Sequence, residues 1–485
     1  MRRPIAIATA FIVACSVSPP STTPSDPSAS PPPATVAASP RPTTTAAPSS
    51  PVSAGVVPDA GLLFFFDYPA PDQSQSVVPA MYRYEGASGT LSKMDGWFGG
   101  SVAHETAGGI YLQGPNGRWD LLHWDGTRAS DQEFTACQIE PSYFASWCSA
   151  SATGVGVGYG SHTGPGPGPF TGPWCPPSFI RLPGTTRSTS FPPELCVQSA
   201  MVSADGKQIL INDLARQSSP EALFRGVCQS GYFTLDDTAC YEQRLWIMPV
   251  GGVPRRVRIS PSLPGAFPAN LSSDGRYATV LQGDGLRRVD LETGAATILG
   301  SIRQSALRWS SSDRLAFVQG AAEESWIDKT VVVVAADAAV REMRFSQSSW
   351  AIGLAPAWDS AGRRLAWIAS PAAVAGASGA AQDYLDGKGV GDRRVLVSDL
   401  TSDPVEIRCG EGVAEGVRWS QDGTALLLLC RRPSTRVAAF DLWLHRLGAP
   451  GPSVALVRGI TWGGVDANGF APDLFARTAW SRAVP

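Results

Sequence analysis

Val417-Arg-Trp419-Ser-Gln-Asp422-Gly423-Thr-Ala425-Leu-Leu-Leu-Leu429 is the stretch that decides the fold. A bulky residue leads into a Ser/Asp/Gly turn, and a short apolar run resumes beyond it. The unit occurs five times: Val202-Ser-Ala-Asp205-Gly206, Leu271-Ser-Ser-Asp274-Gly275, Trp309-Ser-Ser-Ser-Asp313, Trp358-Asp-Ser-Ala-Gly362 and Trp419-Ser-Gln-Asp422-Gly423. Recurrence at roughly 40–70 residues marks a repeat architecture. In four units the bulky residue stands four positions before the turn Gly; the Trp309 unit, which lacks that Gly, reads one residue short.

Working outward, each turn is followed by a run such as Gln208-Ile-Leu-Ile211, Leu315-Ala-Phe-Val318 or Leu365-Ala-Trp-Ile368. Runs this short between Gly, Asp and Ser predict buried strands, because a helix needs a longer apolar period. Asp-Gly tolerates positive φ and suits a tight hairpin. A second run follows (Leu245-Trp-Ile-Met248, Val331-Val-Val-Val334, Val395-Leu-Val397), then a turn and a closing polar–apolar strand such as Arg255–Ile259 or Val405–Ile407. Four strands per unit predict an all-β chain built as a β-propeller of four-stranded antiparallel blades.

The stretches Pro356–Ile368 and Val417–Gly423 resemble the WD40-like (PD40) repeat of the TolB family of bacterial periplasmic propellers, whose pattern is Trp-Ser-Pro-Asp-Gly before an apolar strand. The resemblance covers residues 198–458. The Pro is absent from all five units, and Val202 and Leu271 replace the Trp. The resemblance thus implies the propeller scaffold and no particular activity.

Before residue 198 the units are less regular. Leu62–Phe66, Met81–Tyr84 and Thr90-Leu91 make one group; Gly109–Leu112 and Trp119–Trp124 make another. Gly154-Val-Gly-Val-Gly158 and Phe179–Leu182 form a third, unless that Gly-rich stretch is an insertion. The reading is seven or eight blades, with six disfavoured. Ile460-Thr-Trp462 or Leu474-Phe475 is expected to supply the opening blade's missing strand, which would remove an exposed edge.

The first residues point to export. Arg2-Arg3 precedes an apolar stretch, Ile5–Val13, that ends in Ile12-Val-Ala-Cys15. The stretch is too short to span a bilayer, which needs about 20 residues. It resembles a bacterial lipoprotein lipobox, which implies removal of residues 1–14 and a lipid on the Cys15 thiol. Residues 15–57 are dominated by Ser, Thr, Pro and Ala and predict a disordered tether before a propeller at 58–485. Extended at roughly 3 Å per residue, the tether would reach about 100 Å from a membrane.

Nine Cys are present; without Cys15 an even set remains, as disulfides in an exported chain require. Nearest-neighbour pairing gives Cys137–Cys148, Cys175–Cys196, Cys228–Cys240 and Cys409–Cys430, each expected to staple a loop or neighbouring strands inside one blade. Cys-x-x-Cys spacing with His, which zinc would want, does not occur.

Charged residues are 17% and the formal net charge is −3, so no basic stripe suggests nucleic acid. Neither Gly-x-Ser-x-Gly nor His-Glu-x-x-His occurs. The carboxylates of Asp383–Asp392 lack calcium-loop spacing, and His104, His123, His162 and His445 share no pattern. Asp205, Asp274, Asp313 and Asp422, with Gly206, Gly275, Gly362 and Gly423, therefore read as turn formers, with no catalytic residue, metal or cofactor assigned. The expected function is binding by an extracytoplasmic, lipid-anchored propeller, with a protein or envelope component as partner. Two rivals stand beside it: a propeller hydrolase or lyase, and an accessory or sensor subunit of a membrane complex.

Overall fold

The computed structural model describes residues 50–67, 80–95, 101–106, 109–113, 119–128, 138–140, 143–160 apart from 152, 178–216 apart from 184, 186 and 187, 241–260, 267–282, 285–301, 307–319, 330–335, 356–369, 393–432 apart from 411, 439–449, 451–461 and 478–482. Among them strands are the only regular elements beyond one 3-10 turn, Pro58–Ala60. The strands form antiparallel sheets that follow one another along the chain, each a simple up-and-down meander.

Eight sheets are seen among the described residues. The first holds Leu62–Asp67, Ala80–Glu85 and Thr90–Lys93, and the second Ser101–Thr106, Gly109–Gln113 and Trp119–Leu122. The third runs from Gln138–Glu140 through Tyr143–Ala150, Gly156–Gly160 and Ser178–Arg181 to Thr189–Ser190. The Gly-rich stretch is thus a sheet strand and not an insertion. The fourth is Val197–Val202, Gln208–Arg216, Tyr241–Pro249 and Arg255–Val257; the fifth is Phe267–Leu271, Tyr277–Gln282, Gly285–Asp290 and Ala296–Ser301. Leu307–Trp309, Leu315–Gln319 and Thr330–Val334 make the sixth, and Ala357–Trp358, Leu365–Ala369, Arg394–Ser398 and Val405–Ile407 the seventh. The eighth is Val413–Trp419, Ala425–Arg431, Ala439–Arg446 and Val454–Thr461, with Val52–Ser53 added at its outer edge.

Packing turns this series into a propeller. Seven apolar clusters each combine two sheets: one with two, three with four, then every successive pair up to seven with eight. The remaining cluster joins eight back to one. Second strands are apolar without alternation because both faces are covered. In Ala425–Arg431, Leu427 and Leu429 face sheet one, while Leu426 and Leu428 face sheet seven. Leu63 and Phe65 of sheet one likewise pack on sheet eight, and Leu62, Phe64 and Phe66 on sheet two. Each such side chain contributes about 1.5–3 kcal/mol of burial.

Closure differs from expectation in its residues. The fourth strand of sheet one is Thr478–Ser481, paired antiparallel with Leu62–Phe65. Ile460 and Thr461 instead belong to the outer strand of sheet eight; Trp462, Leu474 and Phe475 lie outside the described residues. The signal was present in the sequence: Trp480-Ser481 repeats Trp309-Ser310 and Trp419-Ser420. Its turn is assembled from both chain ends, with Gly61 at φ +66 supplying the left-handed residue and Leu62 opposite Ser481. A Cβ on Gly61 would lie 2.2 Å from the Ser481 carbonyl oxygen, so only Gly fits there.

Candidate functional site

The repeat turns sit at one end of the sheets, between first and second strands, and each is stabilised internally. Asp205 Oδ1 accepts from Ser203 Oγ (2.6 Å) and the Lys207 amide (3.0 Å). Asp274 does the same with Ser272 and the Arg276 amide, and Asp422 with Ser420 and the Thr424 amide. These are Asx-type turns, which engage the carboxylate locally. Burial opposes ionisation of Asp422, but hydrogen bonds from Ser420 and Thr424, together with the Arg482 charge, hold its carboxyl at about 2.

Two positions depart from the register read in the sequence. Asp313 occupies the Gly slot: it is left-handed at φ 57, and its amide donates to the Ser310 carbonyl as the Gly206 amide does to that of Ser203. Ser312 then fills the Asp slot, 3.1 Å from Ser310 Oγ. The Trp309 unit is therefore in register up to that residue and shortened after it. In the Trp358 unit Asp359 takes the Ser slot and accepts from the Arg363 and Arg364 amides. Burial chiefly, and the neighbouring Asp274 carboxylate next, push the Asp313 carboxyl above its ordinary range.

The turns also bond to one another. The Asp205 amide donates to the Ser273 carbonyl, Ser273 Oγ to that of Ser310 (2.7 Å), and Ser311 Oγ to that of Ser360 (2.7 Å). Arg364 continues to the Gly423 carbonyl, and Arg482 pairs with Asp422 (3.2 Å). Sheets four through eight and then one are thereby linked in order. Gly275, at φ +74, lies so close to its neighbour that a Cβ would meet Gln208 Cβ at 2.5 Å. The Trp residues extend this linkage along the inner strands: Trp358 Nε1 donates to the Arg308 carbonyl (3.1 Å) and Trp419 Nε1 to that of Ala357 (2.8 Å).

The opposite end is built differently. There the second strand hands over to the third through long segments, 68–79, 161–177, 217–240, 320–329, 370–392 and 433–438, all outside the described residues. Buried acids guard this end. Asp213 accepts from the Cys196 amide (2.7 Å), Arg244 and Trp246 Nε1 (3.0 Å). Asp67, whose carboxyl burial pushes above its ordinary range, accepts from the Thr461 amide and hydroxyl. Arg393 and Glu415 form a bidentate pair at 2.8 Å, fully enclosed between sheets seven and eight. On the inner strands Arg418 pairs with Glu105, and the Glu105 carboxylate also accepts the Trp480 amide (3.0 Å).

Among the described residues no group of three or more His, Cys, Asp or Glu is placed to hold a metal ion. Asp205, Asp274, Asp313 and Asp422 lie in separate turns along one end, and the Asp274 amide donates to Asp313 Oδ1 (3.5 Å).

Cys409 and Cys430 are disulfide-bonded, with Cα atoms 5.9 Å apart. The bond does not staple a single blade, as expected, but joins the chain just past the outer strand of sheet seven to the second strand of sheet eight. Both residues belong to the core shared by those sheets. Cys196 is disulfide-bonded, and its expected partner Cys175 lies outside the described residues. Cys148 falls in the strand Tyr143–Ala150. Cys15, the tether up to residue 49, Cys137, Cys228, Cys240 and the 383–392 loop lie outside the described residues.

No protein-family model matches the chain, and no curated protein does. Among solved structures, TolB from Acinetobacter baumannii is similar over 58% of this chain and 62% of its own, at 12% identity and a TM-score of 0.33. Dipeptidyl peptidase 4 of Porphyromonas gingivalis is similar over 84% and 59%, at 9% identity and 0.46. The β-propeller domain of the Trilobed protease from Pyrococcus furiosus is similar over 66% and 86%, at 8% and 0.35. The chain spans about six tenths of the length of the first two. At such identity the likeness concerns fold alone, and the propeller assignment rests on the sheet order and the shared cores.

Proposed function

We propose that this chain is a membrane-anchored extracytoplasmic lipoprotein whose β-propeller binds a protein or another component of the cell envelope. The asymmetry of the two ends supports the binding reading. One end is occupied by short turns bonded to each other, and the other receives long segments from most sheets, the usual arrangement for recognition on a rigid scaffold. A photo-crosslinker at Lys93 or Gln282, on the long-segment end, is expected to trap a partner in intact cells. The same probe at Lys207 or Arg363, among the turns, is expected to trap far less. Equal trapping at both ends, or none at either, would sink this reading.

The anchor is supported by the apolar stretch ending at Cys15. Cys15→Ser is expected to abolish metabolic lipid labelling and release the chain from membranes; unchanged labelling would end the claim.

A hydrolase or lyase acting on an envelope or extracellular substrate competes, favoured by the Glu105–Arg418 pair on the inner strands. Turnover of envelope peptides or glycans that Glu105→Gln abolishes, with the fold intact, would replace binding by catalysis. The accessory or sensor role is the same binding reading with a membrane complex as partner.

A further inference from the structure

Residues 52–60 run from the outer edge of sheet eight to the start of sheet one, held at several points along the way. Val52 and Ser53 pair with Arg458 and Val457, and the Ala54 amide donates to the Leu456 carbonyl (3.0 Å). Ser53 Oγ donates to the Gly89 carbonyl (2.6 Å), Tyr84 Oη to that of Gly55 (2.8 Å), and the Val57 amide to that of Gly86 (2.9 Å). Val57 and Ala60 are buried in the core between sheets eight and one. Asp59 is then gripped twice: Arg446 of sheet eight contacts both carboxylate oxygens, and Arg482 reaches its carbonyl (2.7 Å) and carboxylate (3.4 Å).

Sheet eight is also tied to other sheets by charge and by a covalent bond. Three ion pairs join it to other sheets: Arg393–Glu415, Arg418–Glu105 and Arg482–Asp422. The Cys409–Cys430 bond ties it covalently to sheet seven. The sheet braced in these ways is the one that receives the N-terminal segment.

We propose that residues 52–60 are a strap that carries tension, and that sheet eight is built to pass tension arriving from the N-terminal side into the ring without opening it. The proposal gives a mechanical role to the anchoring suggested above, and rests on that reading only for the source of the tension. In the strap, charge-assisted bonds to Asp59 lie in series behind the short strand pairing, so load reaches them once Val52–Ser53 has peeled away. Pro51, which has no amide proton to donate, and Gly55, at φ +124, bound the paired residues on either side.

Constant-force optical trapping of the full chain tests this in two geometries. In one, force enters through the N-terminus and a handle in the Gly251-Gly252 turn. In the other, handles sit in that turn and in the Glu292–Thr293 turn, so that the strap is unloaded. Asp59→Asn is expected to rupture about tenfold faster under N-terminal load, the effect of losing one charge-assisted contact, and at an unchanged rate in the second geometry. Val52→Pro combined with Tyr84→Phe, which leaves Asp59 in place, should shorten only the earliest extension step. Equal acceleration of Asp59→Asn in both geometries would make the strap an ordinary stability element. No acceleration in either would also overturn the proposal. Neither result depends on whether Cys15 carries lipid, so failure here is separable from failure of the anchor.

Discussion

Arg418 and Glu105 meet across a strand that belongs to neither of their sheets. Arg418 Nη1 donates to the Thr478 carbonyl (2.8 Å) and Glu105 accepts the Trp480 amide (3.0 Å), while their charged groups pair with each other. The inner edge of the closing strand is thereby capped by sheets eight and two. Unpaired strand edges invite foreign pairing. The pair is largely enclosed, at 9% and 16% side-chain exposure, so removing one partner leaves a poorly solvated charge. Glu105→Ala is expected to cost about 3 kcal/mol in urea unfolding. Glu105→Gln, whose amide oxygen still accepts from Trp480, should cost clearly less. Equal losses for the two would mean that the hydrogen bond to Trp480 adds nothing and that the broken charge pair carries the whole loss.

The Trp residues of the repeat make a graded series. Trp419 Nε1 donates to a buried carbonyl of the preceding sheet, and Trp358 Nε1 to a partly buried one. Trp309 Nε1 is buried and has no acceptor among the described residues; its ring stacks on Tyr277 at 6.3 Å. Trp419→Phe should therefore destabilise by about 1–2 kcal/mol through the lost hydrogen bond, Trp358→Phe by somewhat less, and Trp309→Phe least. Thermal unfolding of the three variants checks the order, and a Trp309 loss as large as that of Trp419 would contradict it.

Asp313 stands where the other turns have Gly. Replacing it with Gly should stabilise the protein by about 1 kcal/mol by removing a left-handed side chain. Asp313→Asn tests the charge separately. The folded pKa lies above the ordinary 3.8, so ionisation opposes folding, and the penalty is complete once pH exceeds the folded value. The Asn variant is expected to be the more stable protein at pH 7. Its advantage should shrink as pH falls through the raised value and disappear below 3.8. An advantage independent of pH would rule out this carboxyl as its source.

Reduction of Cys409–Cys430 should cost about 3 kcal/mol, as expected for a loop of this size; the two residues are separated by 21 positions. Because the bond crosses a seam, hydrogen exchange is expected to quicken in both Val405–Ile407 and Ala425–Arg431 after the double Cys→Ser change. Quickening in one of these strands alone would assign the bond to a single sheet.

The turns that opened the reading were legible because their chemistry is local. Asp and Gly slots, and the apolar runs behind them, predicted strands that the structure contains, from Gln208–Arg216 to Ala425–Arg431. Sheets two and three were only partly legible. Ser101–Thr106 and Tyr143–Ala150 carry no turn of the full Asp-Gly form, and both were missed. Ser151, Thr153 and Gly154 follow Tyr143–Ala150 in the same Ser-x-x-Gly order as Ser203–Gly206, a weaker copy visible only once the sheet was seen. The turn carboxylates accept within their own hairpins, as local chemistry suggests, whereas the bonding from turn to turn has no local signal.

By itself the sequence determined the repeat, the all-β class and the turn at each unit's head, since all of these depend on residues a few positions apart. Tertiary structure decided which surfaces meet. A strand buried on both faces has no apolar alternation, so its sequence cannot say which neighbour each side chain touches. Closure joins Trp480 to the Ala60 carbonyl, 420 positions apart. Cys409 and Cys430 are close in sequence, yet the boundary between two sheets falls between them. These contacts depend on the ring returning to its start, a geometric condition on the whole chain that no local pattern encodes.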